Sequence, residues 1–308
     1  MKKFRIFFLL LTILAFSSSV FASSDVGTTG AAFLKIDIGA RPAGLGDCFV
    51  GIADDYNAIQ WNPAGLSFLE KGQVAFIRTN WLADTSFNAL SFAYPFNFGT
   101  LGFNWTSLNY GSIDGYDIYG NSTGSFTPTD TAITLSYSKE ITKGFSLGLN
   151  LKQISSKIES ETASTQAFDF GLLYKLEIAG NPFKLGFSVL NMGGEMKFIE
   201  EGDPLPTNYL FGFSYLILNN DTHSVLGAID LSKPVDNDFR ANLGVEYGFK
   251  QMLFIRLGYK AAGYDIEGLA AGFGFHYPLG KNIFGFDYAF GKMDEINDVH
   301  RFSVSFQF

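Results

Sequence analysis

The sequence of 308 residues has little of what enzymes and metalloproteins use: one cysteine, three histidines and charged residues at 17% of positions. A single cysteine can form neither an internal disulfide nor a thiolate metal cage. There is no Walker loop, HExxH or CxxC motif. The formal charge of -8 argues against a nucleic-acid partner, because such proteins need a basic surface. We therefore expect no enzyme, no cofactor and no metal site.

Long apolar runs are absent after the first 22 residues. Lys2, Lys3 and Arg5 precede an apolar stretch over residues 7–16, and residues 20–22 form a small-residue cleavage site. The stretch is shorter than the roughly 20 residues of a membrane helix. The pattern predicts a cleaved signal peptide over residues 1–22 rather than a permanent anchor. An exported chain of this kind is periplasmic, released, or inserted in the outer membrane as a β-barrel.

Phenylalanine, tyrosine and glycine are abundant, with 34, 14 and 34 residues. Near the end of the chain, Phe302, Val304 and Phe306 alternate with polar residues, and the same period of two recurs throughout the chain after residue 71. This period is typical of strands with two different faces. It predicts fourteen strands that begin near Gly72, Phe87, Gly99, Ala132, Phe145, Ala163, Phe183, Asn208, His223, Phe239, Leu253, Gly268, Ile283 and His300.

The connections between these strands are short after even strands and mostly long after odd strands, which is typical of an outer-membrane barrel. A soluble β-sandwich would also alternate, but its exposed face would be rich in charge. Here the less apolar face is mostly Gly, Ser, Asn and Thr with sparse charge, which suits a narrow lumen. We predict an all-β, transmembrane antiparallel barrel over residues 71–308, located in the bacterial outer membrane and in contact with its lipid and lipopolysaccharide.

The chain ends on the apolar face, with Phe306 and Phe308. This ending resembles the C-terminal aromatic signature of bacterial outer-membrane proteins. We therefore expect the two residues to act as the insertion signal of the barrel.

Residues 23–70 do not read as barrel strands. They are rich in glycine, and Pro63 ends any helix that begins near residues 54–59. Asp54 or Asp55 could cap that helix; adjacent carboxylates point apart, so a metal pair is not expected. An ordinary periplasmic tail would need neither this much glycine nor buried large side chains. The segment therefore predicts a hatch inside the barrel, with Phe33, Leu34, Phe49 and Trp61 buried.

The run from Gly30 to Leu66 resembles the N-terminal signature of PorV/PorQ-like proteins, within the superfamily of FadL-type outer-membrane transporters. The run contains Gly39, Arg41, Gly44, Gly46, Asp54 and Asp55. It ends in Asn62, Pro63, Ala64 and Gly65, which resemble the hatch motif of that superfamily. The resemblance implies a fourteen-stranded barrel with an N-terminal hatch in its lumen.

Two functions remain open. PorV-like proteins act with the type IX secretion machinery, so the resemblance implies that this chain receives exported cargo proteins at the outer membrane. The alternative is a FadL-like transporter of long-chain fatty acids or other hydrophobic molecules, for which Phe33, Phe49 and Trp61 could form a pocket. The long loops are acidic, with Glu195, Glu200, Glu201 and Asp203 in one of them. They are either a solvated face or a docking surface for cationic or cation-bridged partners.

Overall fold

The computed structural model describes residues 26–82, 85–263, 267–293 and 298–308. The predicted signal peptide lies outside these residues. The strands of the described part are β1 Gln73–Asn80, β2 Ser86–Phe96, β3 Gly99–Asn109, β4 Ile113–Tyr116, β5 Ser122–Phe126, β6 Thr129–Thr142, β7 Phe145–Ile158, β8 Glu161–Ile178, β9 Asn181–Gly193, β10 Glu195–Lys197, β11 Gly202–Pro204, β12 Asn208–Asn219, β13 His223–Pro234, β14 Arg240–Phe249, β15 Leu253–Ala262, β16 Glu267–Leu279, β17 Asn282–Met293 and β18 Val299–Gln307.

Fourteen of these strands form one closed antiparallel barrel, in which β1 pairs with both β2 and β18. Closure leaves no unpaired backbone edge, which a sheet in lipid requires. The prediction of fourteen strands is confirmed, and every barrel strand begins within three residues of its predicted start. The four remaining strands form two hairpins, β4–β5 and β10–β11, which the sequence did not indicate.

The two faces of the barrel differ in chemistry. In β18, Phe302 and Val304 point outwards and are exposed, whereas Arg301, Ser303 and Ser305 are buried in the lumen. The same alternation recurs in β3, β6, β7 and β15. An exposed wall of Phe, Leu and Ile suits lipid contact. The alternation thus sets which side chains face the lumen.

The two ends of the barrel also differ. At one end, called the turn end, two or three residues connect the strands, as at residues 97–98, 179–180 and 280–281. At the other end, called the loop end, β3 joins β6 through the β4–β5 hairpin, and β9 joins β12 through the β10–β11 hairpin. The exception is the two-residue connection 159–160, which lies at the loop end.

Residues 26–72 precede the barrel and are called the hatch. They contain two 3-10 helices, Ala32–Lys35 and Pro63–Phe68, and two short α-helices, α1 Ala40–Gly44 and α2 Ala58–Trp61. The helix expected to begin near residues 54–59 begins at Ala58 and ends just before Asn62 and Pro63. Within the described ranges, no helix has the length and apolar character needed to cross a membrane.

The last residue closes the turn end of the sheet. The backbone N–H and C=O of Phe308 bond to those of Gly72 at 2.9 and 3.0 Å. Its ring contacts those of Phe92, Tyr94 and Phe306, with centroids 6.2–6.5 Å apart. Phe308 therefore belongs to an aromatic cluster on the outer wall at the turn end.

We expect Phe308→Ala to lower the amount of assembled barrel several-fold more than Phe302→Ala. Both changes remove one outward ring of the last strand region, worth about 1–2 kcal/mol of apolar burial, but only Phe308 belongs to the expected insertion signal. The measurement is the amount of heat-modifiable protein in the outer-membrane fraction. Equal amounts of the two variants would show that Phe308 has no special role in insertion of the barrel.

Candidate functional site

The hatch threads the lumen from the loop end to the turn end. Near its start, the backbone N–H of Gly30 donates to the carbonyl of Pro204 in the β10–β11 hairpin at 2.9 Å. Near its end, Ser67 bonds to Ser146 at the start of β7 at 2.6 Å. From Ile38 to Leu66 every residue of the hatch is buried except Arg41, Asp54 and Gln60, which are half-buried. The segment therefore fills the barrel along its length.

Glycines of the barrel wall make this filling possible. Seven glycines of the wall face the lumen where the hatch passes. A Cβ atom at any of them would lie too close to an atom of the hatch, in most cases a backbone atom. We call this set the glycine belt; it comprises Gly148 on β7, Gly171 on β8, Gly186 on β9, Gly212 on β12, Gly244 on β14, Gly258 on β15 and Gly272 on β16. Because glycine has no side chain, the hatch backbone lies directly on the sheet.

The predicted hatch motif is part of this contact. The Asn62 side chain is fully buried and donates to the carbonyls of Val50 in the hatch and Leu172 in β8, at 3.1 and 2.9 Å. Its oxygen accepts from the backbone of Ala64, which caps the 3-10 helix that begins at Pro63. Gly65 packs against the carbonyl of Ala53, where no Cβ fits. The motif therefore connects two parts of the hatch to the wall.

The glycines of the predicted hatch signature also lie at close contacts. Gly44 lies against Gly272 of the belt, and Gly46, with a φ of 64°, lies against Gly258. Gly39 has a φ of 99° and a Cβ there would collide with Asn57. Each position needs glycine because of space, and two of them also need a backbone conformation that other residues resist.

Arg41 is the centre of a group of charges in the turn-end half of the lumen. Its guanidinium binds the carboxylates of Asp54 at 2.6 Å, Asp55 at 2.8 Å and Glu246 of β14 at 3.0 Å. Lys184 of β9 also approaches Asp54, at 3.4 Å. Arginine suits this position because its planar fork donates in several directions at once.

The group continues along the wall. Arg256 on β15 shares Glu246 with Arg41, at 2.6 Å, and binds Asp287 on β17 at 2.6 Å. His276 lies 3.2 Å from the second oxygen of Asp287. We call the set of Arg41, Asp54, Asp55, Lys184, Glu246, Arg256, His276 and Asp287 the lumen charge network.

Two expectations about charge were wrong. The carboxylates of Asp54 and Asp55 do not point apart, because both reach the same nitrogen of Arg41. Asp55 also accepts from the backbone of Asn57, the residue before α2, so it supports the helix start from outside. The lumen face is also richer in charge than expected, since the hatch supplies partners that a lone strand lacks.

The network shifts the ionisation of the two hatch acids in opposite directions. Burial disfavours the charged form of Asp54, but the charges of Arg41 and Lys184 outweigh it and hold its pKa below the ordinary value. Burial dominates at Asp55, and its pKa lies above the ordinary value. Asp55 is therefore the first of the pair to take a proton as the pH falls.

A second anchor lies beside the network, on the strand that pairs with β14. Asp230 on β13 is buried and accepts the backbone N–H groups of Phe49 and Val50 at 2.7 and 2.8 Å. Asp230 was not among the site residues expected from the sequence, and neither were Glu246, Arg256 and Asp287. The signal was available: each is a single charge between two apolar residues of an alternating strand. The partners of these four residues could not be read from the sequence, because they lie on other strands or in the hatch.

Of the three residues predicted to form a hydrophobic pocket, two come together and the third lies elsewhere. Phe33 and Trp61 line one cavity of about 100 Å³ in the loop-end half of the lumen. Phe49 does not line it; its ring is fully buried beneath the guanidinium of Arg41, 5.4 Å away. The cavity also contains charged and amide side chains, so it is not the greasy pocket that a hydrocarbon needs. In the described part of the chain, no cluster of three or more His, Cys, Asp or Glu is placed to hold a metal ion.

Because Gly258 belongs to the glycine belt, we expect Gly258→Ala to displace the hatch from the wall. The new Cβ would fall on the backbone of Leu45 and Gly46, and overpacking of this kind costs about 1–3 kcal/mol or more. We expect lower resistance to urea in detergent and faster proteolysis of the hatch. Gly268→Ala is the matched control, because its Cβ would meet only Tyr259, at 3.8 Å. Similar behaviour of the two variants would contradict the role of the belt.

Arg41→Met should destabilise the seated hatch by about 3–5 kcal/mol, since breaking a buried ion pair leaves its partners uncompensated. Arg41→Lys keeps the charge but loses the fork, so we expect an intermediate loss. Limited proteolysis of the assembled barrel measures both effects. A hatch as resistant in Arg41→Met as in the unchanged protein would show that packing alone holds it.

The fold is similar to that of solved hydrocarbon transporters. The Pseudomonas putida toluene transporter TodX superposes with a TM-score of 0.56 and 13% identity, over 88% of this chain and 97% of that one. The Ralstonia pickettii toluene transporter TbuX gives 0.56 and 12%, over 88% and 97%. The monoaromatic hydrocarbon channel CymD gives 0.57 and 13%, also over 88% and 97%. Identities this low establish the fold alone.

A comparison with curated protein sequences gives no match. A family model described as the type IX secretion system protein PorV matches residues 20–236. The match spans more than half of the chain and includes the hatch and strands β1 to β13, with both loop-end hairpins. The chain therefore belongs to the PorV family of type IX secretion system proteins, and it is an integral β-barrel protein of the outer membrane.

Proposed function

We propose that this protein receives exported cargo proteins for the type IX secretion machinery and holds them at the outer surface of the membrane. The observation that carries the proposal is the family match over residues 20–236, which includes both loop-end hairpins. A lumen filled by a firmly seated hatch is consistent with it. The protein would act by binding at its end rather than by conducting molecules or catalysing a reaction.

The hairpins provide a surface for such binding. In the connection between β4 and β5, Ile118 and Tyr119 are 91% and 83% exposed, and Ile199 between β10 and β11 is 79% exposed. Large apolar side chains this exposed lie outside the wall that meets lipid. Exposed apolar groups of this kind are typical of protein interaction sites. We therefore assign the two hairpin tips to cargo contact.

Charge around the tips indicates the character of the partner. Glu195, Glu200, Glu201 and Asp203 surround Ile199, and Lys197 is the only basic residue in the β10–β11 hairpin. Such a rim favours a partner with basic groups near an apolar patch. The longer loops of outer-membrane barrels face outwards, so the surface would meet cargo after its translocation.

The test is crosslinking of cargo in cells that carry the secretion machinery. We expect the double variant Ile118→Ser and Ile199→Ser to capture several-fold less cargo than the unchanged protein. Ile141→Ser is the matched control, because Ile141 is a half-exposed isoleucine at the turn end. Assembled barrel is measured in parallel. Equal capture by the double variant and the control would refute the assignment of the hairpin tips.

Transport of hydrophobic molecules is the second candidate, supported by the fold shared with TodX and TbuX. The interior of the barrel gives transport less support than the fold does. The cavity of about 100 Å³ is smaller than the roughly 300–1,000 Å³ of ordinary ligand pockets. Mass spectrometry of the purified protein separates the two candidates. A co-purified fatty acid or aromatic hydrocarbon without any exported protein would favour transport.

A further inference from the structure

Arg78 is a cation of the barrel wall that has no partner in the described part of the protein. The residues on either side of it in β1, Ile77 and Thr79, are buried in the lumen, so Arg78 itself points outwards and is exposed. It makes no ion pair, hydrogen bond or ring contact with any residue that the structure describes. A cation on a wall that faces lipid is costly unless water or an anion lies beside it. The balancing group of Arg78 therefore comes from its surroundings.

The pairing of β18, β1 and β2 places Arg78 at the loop-end border of the apolar wall. One step of the alternation towards the turn end, the three strands present exposed apolar side chains, those of Val304, Phe76 and Leu90. One step towards the loop end, they present polar side chains, those of His300, Asn80 and Ser86. Each step covers about 7 Å along a strand. The outer surface therefore changes from apolar to polar at the level of Arg78.

The polar side chains around Arg78 can donate hydrogen bonds, and none of them is acidic. Asn88 of β2 lies directly opposite Arg78, with Cβ atoms about 5 Å apart, and the diagonal neighbours are about 7–8 Å away. His300 bonds to Tyr288 through its Nδ1 atom at 2.8 Å, which leaves the Nε2 atom for another partner. We call this set the Arg78 patch; it comprises Arg78, Asn80, Ser86, Asn88 and His300.

A phosphate group of a lipid matches the patch best. Phosphate offers several acceptor oxygens, and the planar fork of arginine binds two of them at once. The loop end of an outer-membrane barrel faces outwards, so the border at Arg78 lies at the headgroup level of the outer leaflet. The lipid A of lipopolysaccharide carries its phosphate at that level, directly above its acyl chains. A soluble anion would make no use of the apolar row below the patch.

We propose that the Arg78 patch binds a phosphate group of lipid A. The guanidinium of Arg78 holds two phosphate oxygens, and the amides of Asn80 and Asn88 donate to the remaining ones. The acyl chains of the same lipid pack on the apolar row one step below. This inference is independent of cargo binding, because no residue of the patch belongs to the hairpin tips.

The test measures which lipids the full-length protein retains in detergent, by native mass spectrometry. The probes are diphosphoryl lipid A, the same lipid A without its phosphates, and phosphatidylglycerol, added one at a time. We expect the protein to retain diphosphoryl lipid A in preference to the other two. Arg78→Gln should lower the fraction of barrels that retain it at least fivefold. Arg78→Lys keeps the charge but loses the fork, so we expect an intermediate fraction.

Lys139→Gln is the matched control. Lys139 is exposed and points outwards near the turn end of β6, so this change removes a cation of the wall at the level of the inner leaflet. We expect it to leave retention of lipid A unchanged. Equal retention by Arg78→Gln and Lys139→Gln would overturn the proposal. Equal retention of lipid A without phosphates, preference for phosphatidylglycerol, or displacement of lipid A by inorganic phosphate would also overturn it. Heat-modifiable migration of each variant confirms that the barrel has assembled.

Discussion

Direct contact between the hatch backbone and the glycine belt is the constraint on which the rest of the structure depends. Backbone can lie on a sheet only where no side chain intervenes, and seven strands present glycine at the required place. The contact fixes the depth of the hatch in the lumen. That depth brings Arg41 to Glu246 and the backbone of Phe49 and Val50 to Asp230. The ion pairs therefore follow from the packing.

Burial of so many charges has a physical justification. Each carboxylate in the lumen loses water, which is costly unless a partner replaces it. Arg41 meets three acids and Arg256 meets two, and Glu246 and Asp54 each have two cationic partners, so neither of these two acids depends on a single long side chain. The partners come from the hatch and from strands β9, β14, β15, β16 and β17 of the wall. A displaced hatch would leave several charges unpaired at once. Partial opening of the lumen would therefore cost much free energy.

Because the hatch fills the lumen, a binding function would use the ends of the barrel. The fold is that of hydrocarbon transporters, but the interior of this chain has a small cavity with amide, hydroxyl and charged lining. Among the described residues, the most exposed large apolar side chains are those of Ile118, Tyr119 and Ile199 at the hairpin tips. Shared architecture with different lining chemistry is expected, because function depends on the site and the fold only positions it. The family to which the chain belongs is consistent with that division.

The sequence by itself determined the barrel: a period of two decides which face each side chain occupies, and strand starts were correct to within three residues because turns and alternation are local. It also indicated the hatch, through its glycines and the motif from Asn62 to Gly65. It did not determine the partners. Arg41 and Glu246 are 205 positions apart, and Phe49, expected in a pocket with Trp61, lies beneath Arg41 instead. The two hairpins were also missed, because their strands are only three to five residues long. Only the tertiary structure decided these contacts, because threading the hatch through the closed sheet brings together residues that no local pattern relates.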